Sequence, residues 1–460
     1  MHTALRLFAA LVLTTGPLWL ASERHRSGSP VVTRGPYLQR VTTTELIVRW
    51  RTDAPTNSRV VFGLEDGALD FTAFDPQVTN EHRVVLSSLT PDTMYFFAVG
   101  SGTELLAGGD PGTTFSTAPQ AGSGRPIRLW AMGDFGLGSA DAIAVRDGFW
   151  SWNAGARVDA WLALGDNAYP DGTDTDYTAG LFTPYQEVLR RIPLWPVLGN
   201  HDARSADSPT LTGPYYANFS LPRAGEAGGR PSGTEAWYSF DLGDVHIVVL
   251  DSADSDLAPD GPMLSWLALD LAGNPLPWTI VAFHHPPYTK GSHDSDNPAD
   301  SEGRMFAMRE NVLPILEAAG VDLVLAGHSH GYERSFLLDG HYGTSDTLIP
   351  AMIKDSRSGD PATGSAYFKA PGPHGGTVYV VAGSGGHSIL PVGHHPALAV
   401  RRAEFGSLAL EIQGDRARGW FIRADGSVGD RFEIRHQAPI FLDGFESGTT
   451  ERWSSTRSGS

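Results

Sequence analysis

Two histidines two residues apart, His328 and His330, follow the apolar run Val321-Asp322-Leu323-Val324-Leu325-Ala326 and the break at Gly327. That run has the length and branched content of a buried strand. Residues two apart in an extended segment point the same way, so both imidazoles can face one site. Such a pair serves as metal ligands or as an acid/base couple, and either role needs partners from elsewhere in the chain. The same device recurs upstream. Ile127–Met132 leads into Gly133-Asp134-Phe135-Gly136, and 158–164 into Gly165-Asp166-Asn167-Ala168-Tyr169. Leu194–Leu198 leads into Gly199-Asn200-His201-Asp202, and Trp278–Phe283 into His284-His285-Pro286-Pro287.

A single Gly-Asp after a strand is usually a turn or a helix cap. Five of six strand ends presenting candidate ligands are a different matter, because open α/β sheets build their sites at the carboxyl ends of strands. The sixth strand, Val245–Leu250, runs into Asp251, which reads as a turn residue or a support behind the site. Oxygen and imidazole donors without sulfur suit iron, manganese or zinc. There are enough of them for two ions sharing one carboxylate, and two such ions can neutralise a phosphate and activate a water. Neither a glycine-rich phosphate loop nor a GxSxG elbow is present.

The elements that must position these residues fall into two regions. Residues 31–118 show short runs, Glu45–Trp50, Ser58–Phe62, His82–Leu86 and Met94–Val99, at roughly ten-residue spacing, which predicts an antiparallel all-β sandwich. Trp50, and Tyr95 after the turn Leu89–Thr93, resemble a fibronectin type III domain. Residues 119–126 read as a linker. From 127 to 436 strands alternate with helices, one over 140–152 capped by Ser139, one over Met263–Leu271 and one over Arg304–Ala319 stopped by Gly320. Late strands near Gly376–Ala382, Ser407–Ile412, Gly419–Arg423 and Asp430–Ile434 would complete an α/β domain of two packed mixed sheets flanked by helices.

The series GDFG, GDNAY, GNHD, VAFH and GHSH is similar to the five-block signature of the calcineurin-like metallophosphoesterases. Tyr169, closing GDxxY, and the continuation HSHGYER narrow the resemblance to the purple acid phosphatases, whose larger members also carry an N-terminal fibronectin-like domain. Gly35–Gln39 and Trp237–Gly243 resemble the bacterial branch. The resemblance implies that Asp134, Asp166, Tyr169 and His330 hold iron(III). It implies that Asp166 bridges to a divalent iron, zinc or manganese completed by Asn200, His284 and His328. A hydroxide held by the metals would attack the phosphorus, and His201 would orient the phosphate and protonate the leaving alkoxide. Asp202 stands where many members carry Glu and could orient His201 or serve as a solvated or capping residue. His293 sits where members place a substrate-contacting histidine, and His285 could stand behind the ligands. His374, His387, His394 and His395 read as solvated loop residues, and His82 and His246 as packed or surface residues.

A net charge of −18 argues against a nucleic-acid binder. Bound cations would let an acidic protein take a phosphorylated small molecule. Without cysteine there is neither disulfide nor thiolate chemistry. Arg6, the apolar stretch from Leu7 to about Ala21 and the polar SERHRSGS read as a secretory signal over 1–22, with an uncleaved anchor as the alternative and no later span in an exported mature chain. The tail 437–460 reads as a flexible extension of no assigned role. The expected activity is phosphomonoester hydrolysis. A phosphodiesterase or nucleotidase on the same ligands, its walls built by 171–184 and 203–231, is the alternative. The alternative of another class is a surface-binding or adhesion protein with an inactive hydrolase domain, which predicts eroded ligands; every expected ligand is present.

Overall fold

The computed structural model describes residues 29–436. The signal reading over 1–22 and the tail 437–460 lie outside the described residues.

Six strands between Val32 and Ser116 form the N-terminal β-sandwich domain. Its centre is Leu46–Gly63, which pairs antiparallel with Val32–Gln39, Phe71–Leu86 and Met94–Ser101. The runs 45–50 and 58–62, expected as separate strands, are two halves of this one strand. Register shifts between Arg51 and Ser58 let the polar stretch between them bulge while both apolar halves stay paired. Trp50 is buried and stacks on His82, whose two ring nitrogens reach Thr52 Oγ1 and Ser58 Oγ at 2.8 Å. The Tyr95 hydroxyl accepts from the Thr90 amide across its turn at 2.9 Å.

The following domain packs two seven-stranded mixed sheets face to face. One contains Ile127–Met132, Ala160–Ala163 and Leu194–Pro196 in parallel order, extended by antiparallel strands from 406 to 436. The other runs Val245–Val249, Trp278–Ala282, Leu323–Ala326 and Val378–Ala382 in parallel. Nearly every residue of these short strands is buried, because both faces are covered. The parallel strands of the two sheets end side by side. Gly133 donates to Ala382 O across the junction at 2.8 Å, and Gly385 donates back to Gly133 O at 3.1 Å.

The helix Ala140–Asn153 starts as the sequence predicts, with Ser139 Oγ accepting from the Ala142 amide. Arg304–Ala319 is helical throughout but not one regular α-helix. Its middle turn, Met308–Val312, widens to i→i+5 bonding just before Pro314, which has no amide to continue the ladder, and Gly320 ends it in a left-handed conformation. No helix among the described residues is long and apolar enough to cross a membrane.

The β-sandwich braces the site-bearing loops. The buried Arg34 reaches Asp174 Oδ1 at 2.9 Å and Asn218 Oδ1 at 2.6 Å, and the Tyr37 hydroxyl donates to Asn218 O. Asp174 opens the short helix Asp174–Tyr177, whose last residue contacts the loop carrying Asn200.

Candidate metal centre

Each strand end turns sharply. Asp134, Asp166 and His328 all have left-handed backbones, with φ of 61°, 53° and 66°. Non-glycine residues adopt that region at a cost, and such strain gathers at functional sites. Close approach also explains Gly199, since a Cβ there would lie 2.0 Å from the Asp166 amide nitrogen. The turns bring Asp134, Asp166, Tyr169, Asn200, His284, His328 and His330 into one cluster.

The Tyr169 hydroxyl lies 2.8 Å from Asp166 Oδ2 and 3.2 Å from Asp134 Oδ1, and His330 Nε2 is 3.5 Å from Asp134 Oδ1. Beside them, Asn200 Oδ1 is 3.0 Å from both His284 Nε2 and His328 Nδ1, and His284 Nε2 is 3.4 Å from Asp166 Oδ1. Both carboxylates are buried.

The protons can be traced. His284 Nδ1 faces the Leu164 carbonyl at 2.8 Å and must donate to it, which leaves the Nε2 lone pair of the neutral ring facing the cluster. With the Ser301 hydroxyl proton on Asp300 Oδ1, which its 2.9 Å contact allows, the 2.6 Å contact between Ser301 Oγ and His328 Nε2 is a donation from the ring. The His328 Nδ1 lone pair therefore also faces Asn200 Oδ1. Two ring nitrogens and Asn200 Oδ1 thus converge beside two buried carboxylates, a donor set that a cation satisfies. The donor set fits the binuclear metal centre.

The electrostatics follow the same pattern. Burial opposes ionisation of Asp166, but His284 and His201 hold its carboxyl well below the usual range. Burial likewise opposes the charged form of His284, yet Asp166 raises it to about 9. Burial, then Asp134 and Asp166, drive the Tyr169 phenol far up. A multivalent cation reinforces the Asp166 carboxylate and inverts the other two balances, favouring the neutral imidazole and the phenolate.

His201 sits at the rim. Its backbone amide donates to Asp166 Oδ1, Nδ1 is 2.5 Å from Pro170 O, and Nε2 is 4.0 Å from Asp166 Oδ2. Because a carbonyl can only accept, Nδ1 carries a proton and Nε2 is directed by it toward the cluster. His293 stacks on His328 with ring centres 3.9 Å apart, its Nδ1 2.8 Å from Asp300 Oδ1. His285 is buried against His328 and reaches Ser252 Oγ.

Asp202 serves as a cap. Its side chain does not orient His201. Oδ2 instead accepts from the amides of Asn167 and Gly199 and from Asn167 Nδ2, and Oδ1 accepts from the Tyr177 hydroxyl. Burial and the nearby Asp166 push it up to about 7. It ties two ligand-bearing loops together, and His201 is oriented by Pro170. Asp251 is also a loop tie, accepting from Ser208, Ala253, Asp254 and Ser255.

Two loop histidines differ from the sequence reading. His395 is buried, and His387 lies against the site, its ring 4.4 Å from Tyr169 and 4.7 Å from His330. Asp300 and Ser301, which sequence reasoning passed over, hold His293 and His328. Their only sequence signal was a polar stretch, DSEG, ahead of a helix.

Comparison with known proteins agrees with this geometry. The calcineurin-like phosphoesterase family profile matches residues 127–332, and the purple acid phosphatase N-terminal domain profile matches 36–117. An uncharacterized protein of Mycobacterium tuberculosis is 32% identical over 409 residues, spanning 80% of this chain and 72% of the relative. Human acid phosphatase type 7 is 28% identical, over 80% of this chain and 82% of the relative. The structure of the purple acid phosphatase PPD1 from yellow lupin superposes with a TM-score of 0.64 at 18% identity, covering 89% of this chain and 74% of that one. The chain belongs to the calcineurin-like phosphoesterases, in the purple acid phosphatase group, and is a phosphoric ester hydrolase with a binuclear metal centre.

Proposed function

We propose that the protein hydrolyses phosphomonoesters of small molecules as an acid phosphatase, with iron(III) and a divalent iron, zinc or manganese. The convergence of the His284 and His328 ring nitrogens on Asn200 Oδ1, inside a cluster with two buried carboxylates, carries this reading. Asp134, Tyr169 and His330 would hold the first ion, Asn200, His284 and His328 the second, and Asp166 would be shared. When bound, the pair neutralises the phosphoryl charge and lowers the pKa of an attacking water.

The rest falls to the chain. Tyr169 would bind as the phenolate that a trivalent ion favours, giving a violet charge-transfer band. Pro170 O accepts from His201 Nδ1–H, so Nε2 faces the reacting group and, in the doubly protonated ring, carries the proton for the leaving alkoxide. Asp300 fixes His293 in the same way, presenting its Nε2 to the substrate. The bounds 31–118 for the β-sandwich and 127–436 for the catalytic domain, and export through 1–22, belong to the same reading.

The test is hydrolysis of a chromogenic monoester and its matching diester by protein loaded with iron plus zinc, from pH 4 to 9. Monoester preference with an acidic optimum is the expected result. Diester preference would move the substrate assignment to phosphodiesters.

A further inference from the structure

Beyond the five ligand-bearing loops, a sixth strand end contributes to the site. Val378–Ala382 runs parallel to Leu323–Ala326, with Val381 beside Ala326, and delivers Gly383-Ser384-Gly385-Gly386-His387-Ser388. The glycines let this loop lie directly on the Asp134 loop. A Cβ at Gly383 would fall 2.3 Å from Ser329 O and 2.8 Å from Asp134 Oδ2, and one at Gly385 would fall 2.3 Å from Gly133 O. Ser139 Oγ donates to Gly386 O at 2.7 Å. His387 therefore stands on a mount built from the backbone of the site itself.

Its proton is also placed. His330 turns Nε2 toward Asp134 and Nδ1 toward Ser388 Oγ at 2.7 Å, and Ser388 Oγ is 3.1 Å from His387 Nδ1. With His330 Nε2 engaged on the metal side, Nδ1–H donates to Ser388. The Ser388 hydroxyl then donates to His387 Nδ1, which leaves the proton of the neutral His387 ring on Nε2. The ring is half-buried and touches Tyr169, as His201 does at the same 4.4 Å.

We propose that His387 is a substrate-contacting residue whose Nε2–H donates a hydrogen bond to a phosphoryl oxygen and so sets affinity for the phosphate group. The relay through Ser388 fixes Nε2 as a donor, so the effect falls on binding and not on proton transfer to the leaving group. This rests on the phosphatase reading above.

The experiment compares wild type, His387→Ala, His387→Asn and Ser388→Ala, all as full chains loaded with iron and zinc. Inorganic phosphate binding is measured by calorimetry, kcat and KM with para-nitrophenyl phosphate, and metal content by elemental analysis. His387→Ala is expected to raise the phosphate Kd and KM by ~10-fold, the scale of one lost hydrogen bond to a charged group, with kcat changed by less than ~3-fold. His387→Asn, which keeps a donor, stays within ~3-fold of wild type, and Ser388→Ala falls between. A phosphate Kd in His387→Ala within ~2-fold of wild type at full metal content would overturn the proposal. So would metal loss in that variant, which would mean that His387 acts through His330. A metal-loaded wild type that turns over no phosphoester would sink the phosphatase reading, while the phosphate Kd values would still decide the role of His387.

Discussion

Two buried clusters in this domain use the same side chains for opposite ends. In one, His246 on the strand Val245–Val249 sits between Asp241 and Asp270, with Nδ1 2.7 Å from Asp241 Oδ1 and Nε2 2.9 Å from Asp270 Oδ2. Asp270 Oδ1 also accepts from the Arg230 amide and Ser239 Oγ. Every donor there meets an acceptor, and the cluster is closed. In the other, at the parallel strand ends, His284 and His328 turn ring nitrogens toward Asn200 Oδ1 beside Asp134 and Asp166, a donor set that a cation would complete. Residue type does not separate the two clusters. Accounting for each proton does.

The comparison can be broken most forcefully at the shared carboxylate. Asp166→Asn should lower phosphoester turnover by at least ~10³-fold, the scale of removing one member of a catalytic unit, with metal lost and the fold retained by circular dichroism. Asp270→Asn should do the reverse. Leaving His246 short of a charged acceptor should cost roughly 3 kcal/mol in denaturant unfolding, with turnover per folded molecule unchanged. Turnover falling in parallel with stability would contradict the division.

The closed cluster also predicts a pH signature. Burial opposes protonation of His246, but Asp241 and Asp270 raise it to about 9, against 6.5 when unfolded. Its contribution is therefore complete below pH 6.5 and is lost as pH rises through 9. The size is roughly 3 kcal/mol. Unfolding midpoints of wild type should fall across that window, and those of His246→Gln should be flatter. The smallest expected effect belongs to Asp202, a closed knot inside the open site. Asp202→Ala strands the Asn167 and Gly199 amides and the Tyr177 hydroxyl and should destabilise by about 2 kcal/mol. Turnover should drop by less than ~10-fold, because the knot supports the ligands without touching substrate.

Much of this was legible in the chain because the strand ends carry a local signal. An apolar run that stops at glycine and is followed by Asp, Asn or His can be read residue by residue, and the seven ligand candidates do lie together. The illegible parts depend on proximity with no local mark. Asp202 follows His201 in sequence, yet the turn sends its carboxylate to Gly199 and Asn167. His387 follows a glycine-rich stretch that reads like any solvated turn, and only the packing of Gly383 and Gly385 on the Asp134 loop shows otherwise. The two halves of Leu46–Gly63 looked like two strands because a bulge and a strand break share the same polar composition. Pro314 was visible in the sequence, but the apolar spacing around it is helical on both sides, and the widened turn keeps it so.

The central claim is that the acceptor cluster at the strand ends is completed by two cations. Elemental analysis of the full chain after stripping with a chelator, reloading with iron and zinc and desalting tests it most directly. The account predicts two tightly held ions per chain, with a violet absorption band that Tyr169→Phe abolishes while the fold is kept. A folded wild-type chain that retains no metal after reloading would contradict it.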